Sequence, residues 1–194
     1  MAASSPIRKI VVAGALGAVS VVLVLFNIGF IPWFAGVSIT FMHVPAIIGA
    51  ILEGPFVGGV VGLIFGVTSI LKAISSPLPF DKLFINPIIA VLPRILVGIV
   101  AWAVYRVFRG KLEKAALASA AVAGSLTNSV FVLGLLVIFA PPKFGFTFAV
   151  AGGVLVGNGL IEAVVAAILT VAVVSAWKGI ESRSGRARLA DEAK

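Results

Sequence analysis

Residues 55–74 read PFVGGVVGLIFGVTSILKAI, and a run of this kind decides the fold class. It matches the length of about 20 apolar residues that a helix needs to cross the hydrocarbon layer of a membrane. Of the 194 residues of the chain, 61% are hydrophobic and 11% are charged, whereas a typical soluble domain is about 45–50% apolar and about 25% charged. A soluble fold of this length could not bury so much apolar surface. The composition therefore excludes a soluble enzyme and predicts a protein surrounded by lipid.

Apolar runs recur along the chain and predict an all-α membrane protein, a bundle of six transmembrane helices. The runs are continuous, whereas the strands of a membrane barrel would alternate between apolar and polar residues. The predicted helices cover residues 10–28, 36–52, 55–74, 86–105, 115–140 and 148–177. Residues 1–177 thus form one transmembrane domain, and the polar residues 178–194 are expected to form a frayed, charged tail.

The charge distribution predicts the orientation of the bundle. Most of the 15 Lys and Arg residues lie before the first predicted helix, between the fourth and the fifth, or after the sixth. Only Lys72, Lys82 and Lys143 fall on the opposite side, and Arg94 lies inside a helix. Because cytoplasmic loops carry an excess of Lys and Arg, both termini are predicted to be cytoplasmic. The net charge of +8 is therefore a topology signal, and no nucleic-acid partner is expected.

The sequence lacks the residues and motifs of several common metal, catalytic and nucleotide-binding sites. The chain has no cysteine and a single histidine, which excludes the usual zinc clusters and a cysteine nucleophile. The sequence contains neither a phosphate-binding P-loop nor the HExxH and GxSxG catalytic motifs. We therefore predict that the chain is no enzyme, binds no cofactor or metal, and cannot bind ATP through a P-loop of its own.

Ionisable residues inside predicted membrane helices are functional candidates, because burying them in lipid is costly. Three stand out, His43, Arg94 and Glu162, and the asparagines Asn128 and Asn158 add hydrogen-bonding groups. One interpretation pairs Arg94 with Glu162 as a buried ion pair. The other places Arg94 in a wet cavity, where its planar guanidinium would bind a carboxylate of a ligand.

Small and aromatic residues predict packing surfaces. Gly58, Gly62 and Gly66 in the third helix, and Ala149, Gly153 and Gly157 in the sixth, recur every four residues and favour close internal packing. In the first helix the same spacing is open to internal packing or to docking of another membrane subunit; its members are Ala13, Gly14, Gly17 and Ala18. Aromatic residues near the outer face, among them Phe80 and Phe84, favour an interfacial belt, and some of these rings, with Trp33 singled out, are candidates for covering a pocket instead.

Several stretches together resemble a known family of transport proteins. Residues 37–50 read VSITFMHVPAIIGA, residues 52–55 read LEGP, and residues 58–66 read GGVVGLIFG; Pro93-Arg94 and NGLIEA at residues 158–163 follow. Along nearly the whole chain the sequence resembles the substrate-binding S components of energy-coupling factor (ECF) vitamin transporters. The NGLIEA run is similar to that of the pantothenate-type members.

The resemblance implies a membrane subunit that captures a water-soluble vitamin, with pantothenate the best candidate. It also implies docking on a transmembrane T subunit carrying two cytoplasmic ATPases, in a bacterial or archaeal plasma membrane. The candidate substrate-binding residues are Arg94 and Trp33, which fall where the family's pockets lie, together with the polar residues Glu162, Asn158, Asn128 and His43. The small residues of the first helix would contact the T subunit. Two alternatives remain, a stand-alone proton-coupled carrier and a six-helix scaffold that transports nothing.

Overall fold

The computed structural model describes residues 5–28, 30–32, 38–110 and 112–192, with only the backbone for residues 30–32, 38–39 and 183–192. Helices dominate these residues. In chain order they are α1 (Pro6–Leu25), α2 (Val44–Glu53), α3 (Pro55–Ser75), α4 (Pro87–Ala90), α5 (Leu92–Phe108), α6 (Glu113–Phe139), α7 (Phe148–Val154) and α8 (Leu160–Glu192). Two short strands, β1 (Phe30–Pro32) and β2 (Ser38–Thr40), pair in antiparallel fashion between α1 and α2.

Among the described residues, five helical stretches are long and apolar enough to cross a membrane, and α2 is a shorter apolar helix beside them. The five stretches are Pro6–Leu25, Pro55–Ser75, Pro87–Phe108, Glu113–Phe139 and Phe148–Ser182. This arrangement agrees with the predicted count of six helices. Because α8 continues to Glu192, the polar residues after Trp177 that the structure describes extend a helix, where a frayed tail was expected.

The second helix is the element that the sequence predicted least well. It starts at Val44 and not near residue 36, because residues 38–40 form β2 and Pro45 favours the first turn of a new helix. It ends at Glu53, because the next residue, Gly54, has a positive φ of 101°, a backbone conformation that glycine adopts without steric strain. Pro55 then starts α3 directly. All of its residues except Leu52 are buried. A helix enclosed by its neighbours does not need the length of the hydrocarbon layer.

A ridge of glycines joins α3 to the helices around it, as the spacing predicted. A Cβ atom added at Gly58 would overlap Ala50 of α2, and one added at Gly62 would overlap the carbonyl group of Arg94. At Gly66 it would lie 2.8 Å from the carbonyl oxygen of Ala90. The absence of side chains thus brings the backbones of α4 and α5 against α3, since dispersion contacts at close range hold membrane helices together.

The corresponding prediction for the sixth helix is wrong. Ala149, Gly153 and Gly157 are exposed, and a Cβ added at either glycine would have no neighbour within 4 Å. The inward face of this stretch carries Asn158 and Glu162 instead, both of them buried. Polar groups that lipid cannot solvate take the inner face, which leaves the small residues outside.

Polar contacts join the helices at the end of the bundle where α1 and α6 begin and α2 and α5 end. Arg8 donates through Nε to Glu53 and through Nη1 to Glu181, each at 2.6 Å. Nearby, Tyr105 donates its hydroxyl to Glu113 at 2.9 Å, and Lys178 forms an ion pair with the same carboxylate. These contacts link α1, α2, α5, α6 and α8.

Candidate functional site

A cavity of about 450 Å³ lies at the opposite end of the bundle. Its wall is mostly apolar, with Met42, Phe65 and Leu133 among the contributors. The polar residues that line it are Asn27, Thr40, Ser69, Lys72, Asp81, Arg94, Asn128, Ser129, Asn158 and Glu162. Small-molecule sites are typically clefts of about 300–1,000 Å³ with few polar groups in an apolar wall. The cavity has the size and lining of such a site.

Four of the predicted substrate-binding residues meet in this cavity. Arg94 comes from α5, Asn128 from α6, Asn158 from the stretch that joins α7 to α8, and Glu162 from the first turn of α8. Residues 155–159 of that stretch form one turn of π-helix, in which Asn158 and Gly159 are buried. Single π-helical turns inside α-helices are frequent at functional sites. Convergence of groups so distant in sequence is a property of the fold that residue types alone do not show.

Arg94 is held in place on several sides. Its side chain is only 7% exposed, and Nη1 donates to the carbonyl oxygen of Ile89 at 2.6 Å. The rings of Phe65 and Phe84 lie with their centroids 5.4 Å from the guanidinium carbon, within reach of a cation–π attraction. The orientation of the guanidinium is therefore set before any ligand arrives.

The carbonyl that receives Arg94 is available because of the neighbouring proline. In an α-helix the N–H of residue 93 would donate to the carbonyl of Ile89, but Pro93 has no N–H. The helix breaks here, since α4 ends at Ala90 and α5 begins at Leu92. In an apolar surrounding a freed carbonyl must find another donor, and the guanidinium of Arg94 supplies it.

Arg94 and Glu162 do not form the ion pair that one interpretation predicted. Within the described part of the chain, no carboxylate oxygen lies within 4.0 Å of the Arg94 nitrogens. Nε of Arg94 is buried and has no hydrogen-bond partner among those residues. A buried cation with an unused donor, facing a cavity, is suited to an anionic ligand.

Glu162 has other partners. Its Oε1 accepts the backbone N–H of Thr40 at 2.7 Å, and its Oε2 accepts the hydroxyl of Ser129 at 3.1 Å. The carboxylate therefore links α8 to α6 and to the end of β2.

Two predicted site residues are not placed in the cavity by the structure. His43 is fully buried just before α2 and does not line the cavity. Neither ring nitrogen has a hydrogen-bond partner within residues 5–28, 38–110 and 112–182. Trp33 lies outside the described residues, so its predicted role in covering the pocket is untested.

Lys72 and a group of phenylalanines are site residues that the sequence analysis did not identify. Lys72, counted on the outer side in the charge distribution, lines the cavity and donates to the side chain of Asn27. Its spacing from Phe65 and Ser69 matches one helical face, a signal that could have placed it. Phe80 and Phe84, two of the outer aromatic residues for which a belt was favoured over a place at a pocket, also line the cavity.

These aromatic rings connect two loops across the cavity. Phe80 and Phe84 lie at the 3₁₀ helix Asp81–Ile85, between α3 and α4. Phe80 contacts Phe84, Phe144 and Phe146 at centroid distances of 5.9–6.3 Å. The two last rings belong to the connection between α6 and α7. Since Phe84 also lies against Arg94, the cluster reaches from the loops to the buried cation.

The four small residues of α1 divide into two pairs. Gly17 is buried, and a Cβ added there would lie 2.6 Å from Cδ1 of Ile64; Ala13 packs against the core. Gly14 and Ala18 are exposed, and a Cβ added at Gly14 would have nothing within 4 Å. The first pair serves internal packing, and only the second is available to another subunit.

Comparison with known proteins found a matching family and a similar transporter. The model of the family described as "ECF transporter, substrate-specific component" matches residues 8–174. A pantothenic acid transporter of Lactococcus lactis subsp. cremoris, PanT, is 34% identical over 159 residues, covering 74% of this chain and 80% of the relative. The chain belongs to the family of ECF transporter substrate-specific components.

Family membership settles the class of the protein. A substrate-specific component is a transport protein and not an enzyme, and it is the substrate-binding part of a vitamin-uptake system. The five long apolar helices make this S component a multi-pass membrane protein. The family also implies, in general terms, a T subunit and ATPase subunits as partners.

Proposed function

We propose that this S component binds pantothenate in the 450 Å³ cavity and delivers it for uptake across the cell membrane. The observation that carries the proposal is Arg94, a buried cation at the cavity wall with no carboxylate of the described residues within 4.0 Å. The similarity to a pantothenic acid transporter supports the same ligand.

Each part of pantothenate has a chemical counterpart in the cavity. The carboxylate would accept hydrogen bonds from the guanidinium of Arg94, whose planar arrangement of donors matches two carboxylate oxygens. The hydroxyl and amide groups would meet Asn128 and Asn158; Oδ1 of Asn128 is buried and has no partner in the described part of the chain. The dimethyl-bearing carbon would contact the apolar wall near Phe65 and Leu133.

Removing the carboxylate from the ligand tests this assignment. Calorimetric titration of the purified protein would compare pantothenate with its alcohol analogue, in which a hydroxymethyl group replaces the carboxylate. We expect the analogue to bind at least about tenfold more weakly, because each hydrogen bond to a charged group contributes about 1.5–3 kcal/mol and about 1.4 kcal/mol corresponds to tenfold. Equal affinities would contradict recognition of the anion by Arg94.

We further propose that both termini face the cytoplasm, so that the cavity is reached from outside. The distribution of Lys and Arg supports this orientation. Because the chain has no cysteine, Ser5→Cys and Lys143→Cys can be labelled one at a time in whole cells by a membrane-impermeant maleimide. Labelling at position 143 but not at position 5 is expected, and the reverse pattern would contradict the orientation.

Uptake would be powered by ATPase partners through a T subunit, with Gly14 and Ala18 on the exposed face of α1 as the proposed contact. Gly14→Leu is expected to reduce co-purification with the T subunit while leaving vitamin binding unchanged. Gly134→Leu is the matched control, because Gly134 on α6 is likewise free of neighbours within 4 Å. Equal loss of assembly in both variants would argue against a specific contact at Gly14.

A further inference from the structure

Glu162 faces the proposed vitamin cavity, but both of its oxygens already accept hydrogen bonds from the protein. Oε1 takes the N–H of Thr40 at 2.7 Å, and Oε2 takes the hydroxyl of Ser129 at 3.1 Å. Its side chain is buried, with 5% of the residue exposed. A carboxylate so occupied differs from Arg94 and Asn128, each of which has a buried polar atom without a partner among the described residues.

The contact with Thr40 is made to the backbone, at the end of β2 and four residues before α2. Thr40 and Met42 both line the cavity. The backbone of this segment therefore forms part of the cavity wall. The Thr40 N–H donates to a side chain 122 residues away, so this part of the wall, which also pairs with β1, is joined to α8.

We propose that Glu162 is a positioning residue, which fixes the backbone at Thr40 as a preformed wall of the vitamin site and does not itself recognise the vitamin. This inference rests on the proposed function for its consequence, namely that a preformed wall increases affinity because less ordering is required on binding. The sequence analysis counted Glu162 among the substrate-binding residues. The hydrogen bonds assign it a different role.

Two substitutions separate these roles. In Glu162→Gln the amide oxygen can still accept the Thr40 N–H, and the amide nitrogen can donate to Ser129, whose hydroxyl can turn to the carbonyl of Ser125, 3.3 Å away. In Glu162→Ala both contacts are lost. Ser129→Ala is the matched control, because it removes only the Oε2 contact and leaves the Thr40 contact in place.

The first measurement is amide hydrogen exchange at Thr40 in the ligand-free protein, which does not depend on what the cavity binds. Exchange is expected to be at least about tenfold faster in Glu162→Ala than in the natural protein, the scale of one hydrogen bond to a charged acceptor. It should change less than about threefold in Glu162→Gln and Ser129→Ala. Amides in the middle of α3 should be unaffected in all three, which distinguishes a local effect from loss of the fold.

The second measurement is the dissociation constant for pantothenate. We expect Glu162→Ala to bind about tenfold or more weakly and Glu162→Gln to bind within about threefold of the natural protein. Unchanged Thr40 exchange in Glu162→Ala would overturn the proposal, and so would equal losses of affinity in both variants with Thr40 still protected. If the natural protein binds no pantothenate while Thr40 exchange responds as expected, the proposed ligand fails and the positioning of Thr40 stands.

Discussion

Replacing Arg94 with alanine is expected to weaken pantothenate binding by about 3 kcal/mol, or more than about 100-fold. One donor of Arg94 is already engaged, because Nη1 bonds the carbonyl of Ile89. The remaining donors can make two hydrogen bonds to a carboxylate, each worth about 1.5 kcal/mol at the lower end for charged groups. Arg94→Lys keeps the charge but loses the planar pair of donors, so a loss of about 1.5 kcal/mol is expected.

The assay is calorimetric titration of each purified variant with pantothenate and with its alcohol analogue. Arg106→Ala is the control, because Arg106 lies in the same helix but at its far end, with its guanidinium carbon 5.1 Å from the ring centroid of Trp102. The penalty of Arg94→Ala should largely vanish for the alcohol analogue, since no carboxylate is left to bind. An affinity of Arg94→Ala for pantothenate within about twofold of the natural protein, less than about 0.5 kcal/mol, would refute the reasoning.

Three further predictions concern packing, ion pairing and the aromatic cluster. Gly62→Val should lower the free energy of unfolding by more than about 2 kcal/mol, because a Cβ there overlaps the α5 backbone. Gly134→Val, the control, should change it by less than about 0.5 kcal/mol, as measured by unfolding both variants in the same detergent. Arg8→Ala should lower the free energy of unfolding by about 1–2 kcal/mol, since it leaves the carboxylate of Glu53, whose side chain is 0% exposed, without its cation. Adding Glu53→Gln should recover part of that stability, and a further decrease would contradict the ion pair. Phe80→Ala removes three ring contacts and should weaken pantothenate binding about threefold to tenfold in a titration, with unchanged affinity arguing against a role of the cluster in the site.

The lengths of the apolar runs and the prolines and glycines between them predicted most of the fold. The helix predicted at residues 55–74 is α3, Pro55–Ser75, because a proline starts it and its apolar run is uninterrupted. Hydropathy failed where tertiary contacts decide the backbone. Residues 38–40 lie within a stretch that was predicted to be helical, but the N–H of Thr40 bonds Glu162, and no periodicity within residues 36–52 carries that information.

The site was predicted from its charges and missed in its contacts. Arg94, Asn128 and Asn158, which line the cavity, were candidates because polar groups are costly to bury in lipid. Lys72 was missed, because a lysine near the end of a membrane helix was counted only as evidence for the orientation of the bundle. Arg94 bonds the carbonyl of Ile89 because the helix breaks near Pro93, and the sequence analysis did not predict that break.

Recognition of pantothenate by the Arg94 cavity is tested by calorimetric titration of the purified natural protein with a panel of water-soluble vitamins. We expect one-to-one binding of pantothenate with a submicromolar dissociation constant, and no comparable binding of vitamins that lack a carboxylate. If protein shown to be folded binds no vitamin of the panel, or prefers one without an anionic group, the assignment of the Arg94 cavity to pantothenate is contradicted.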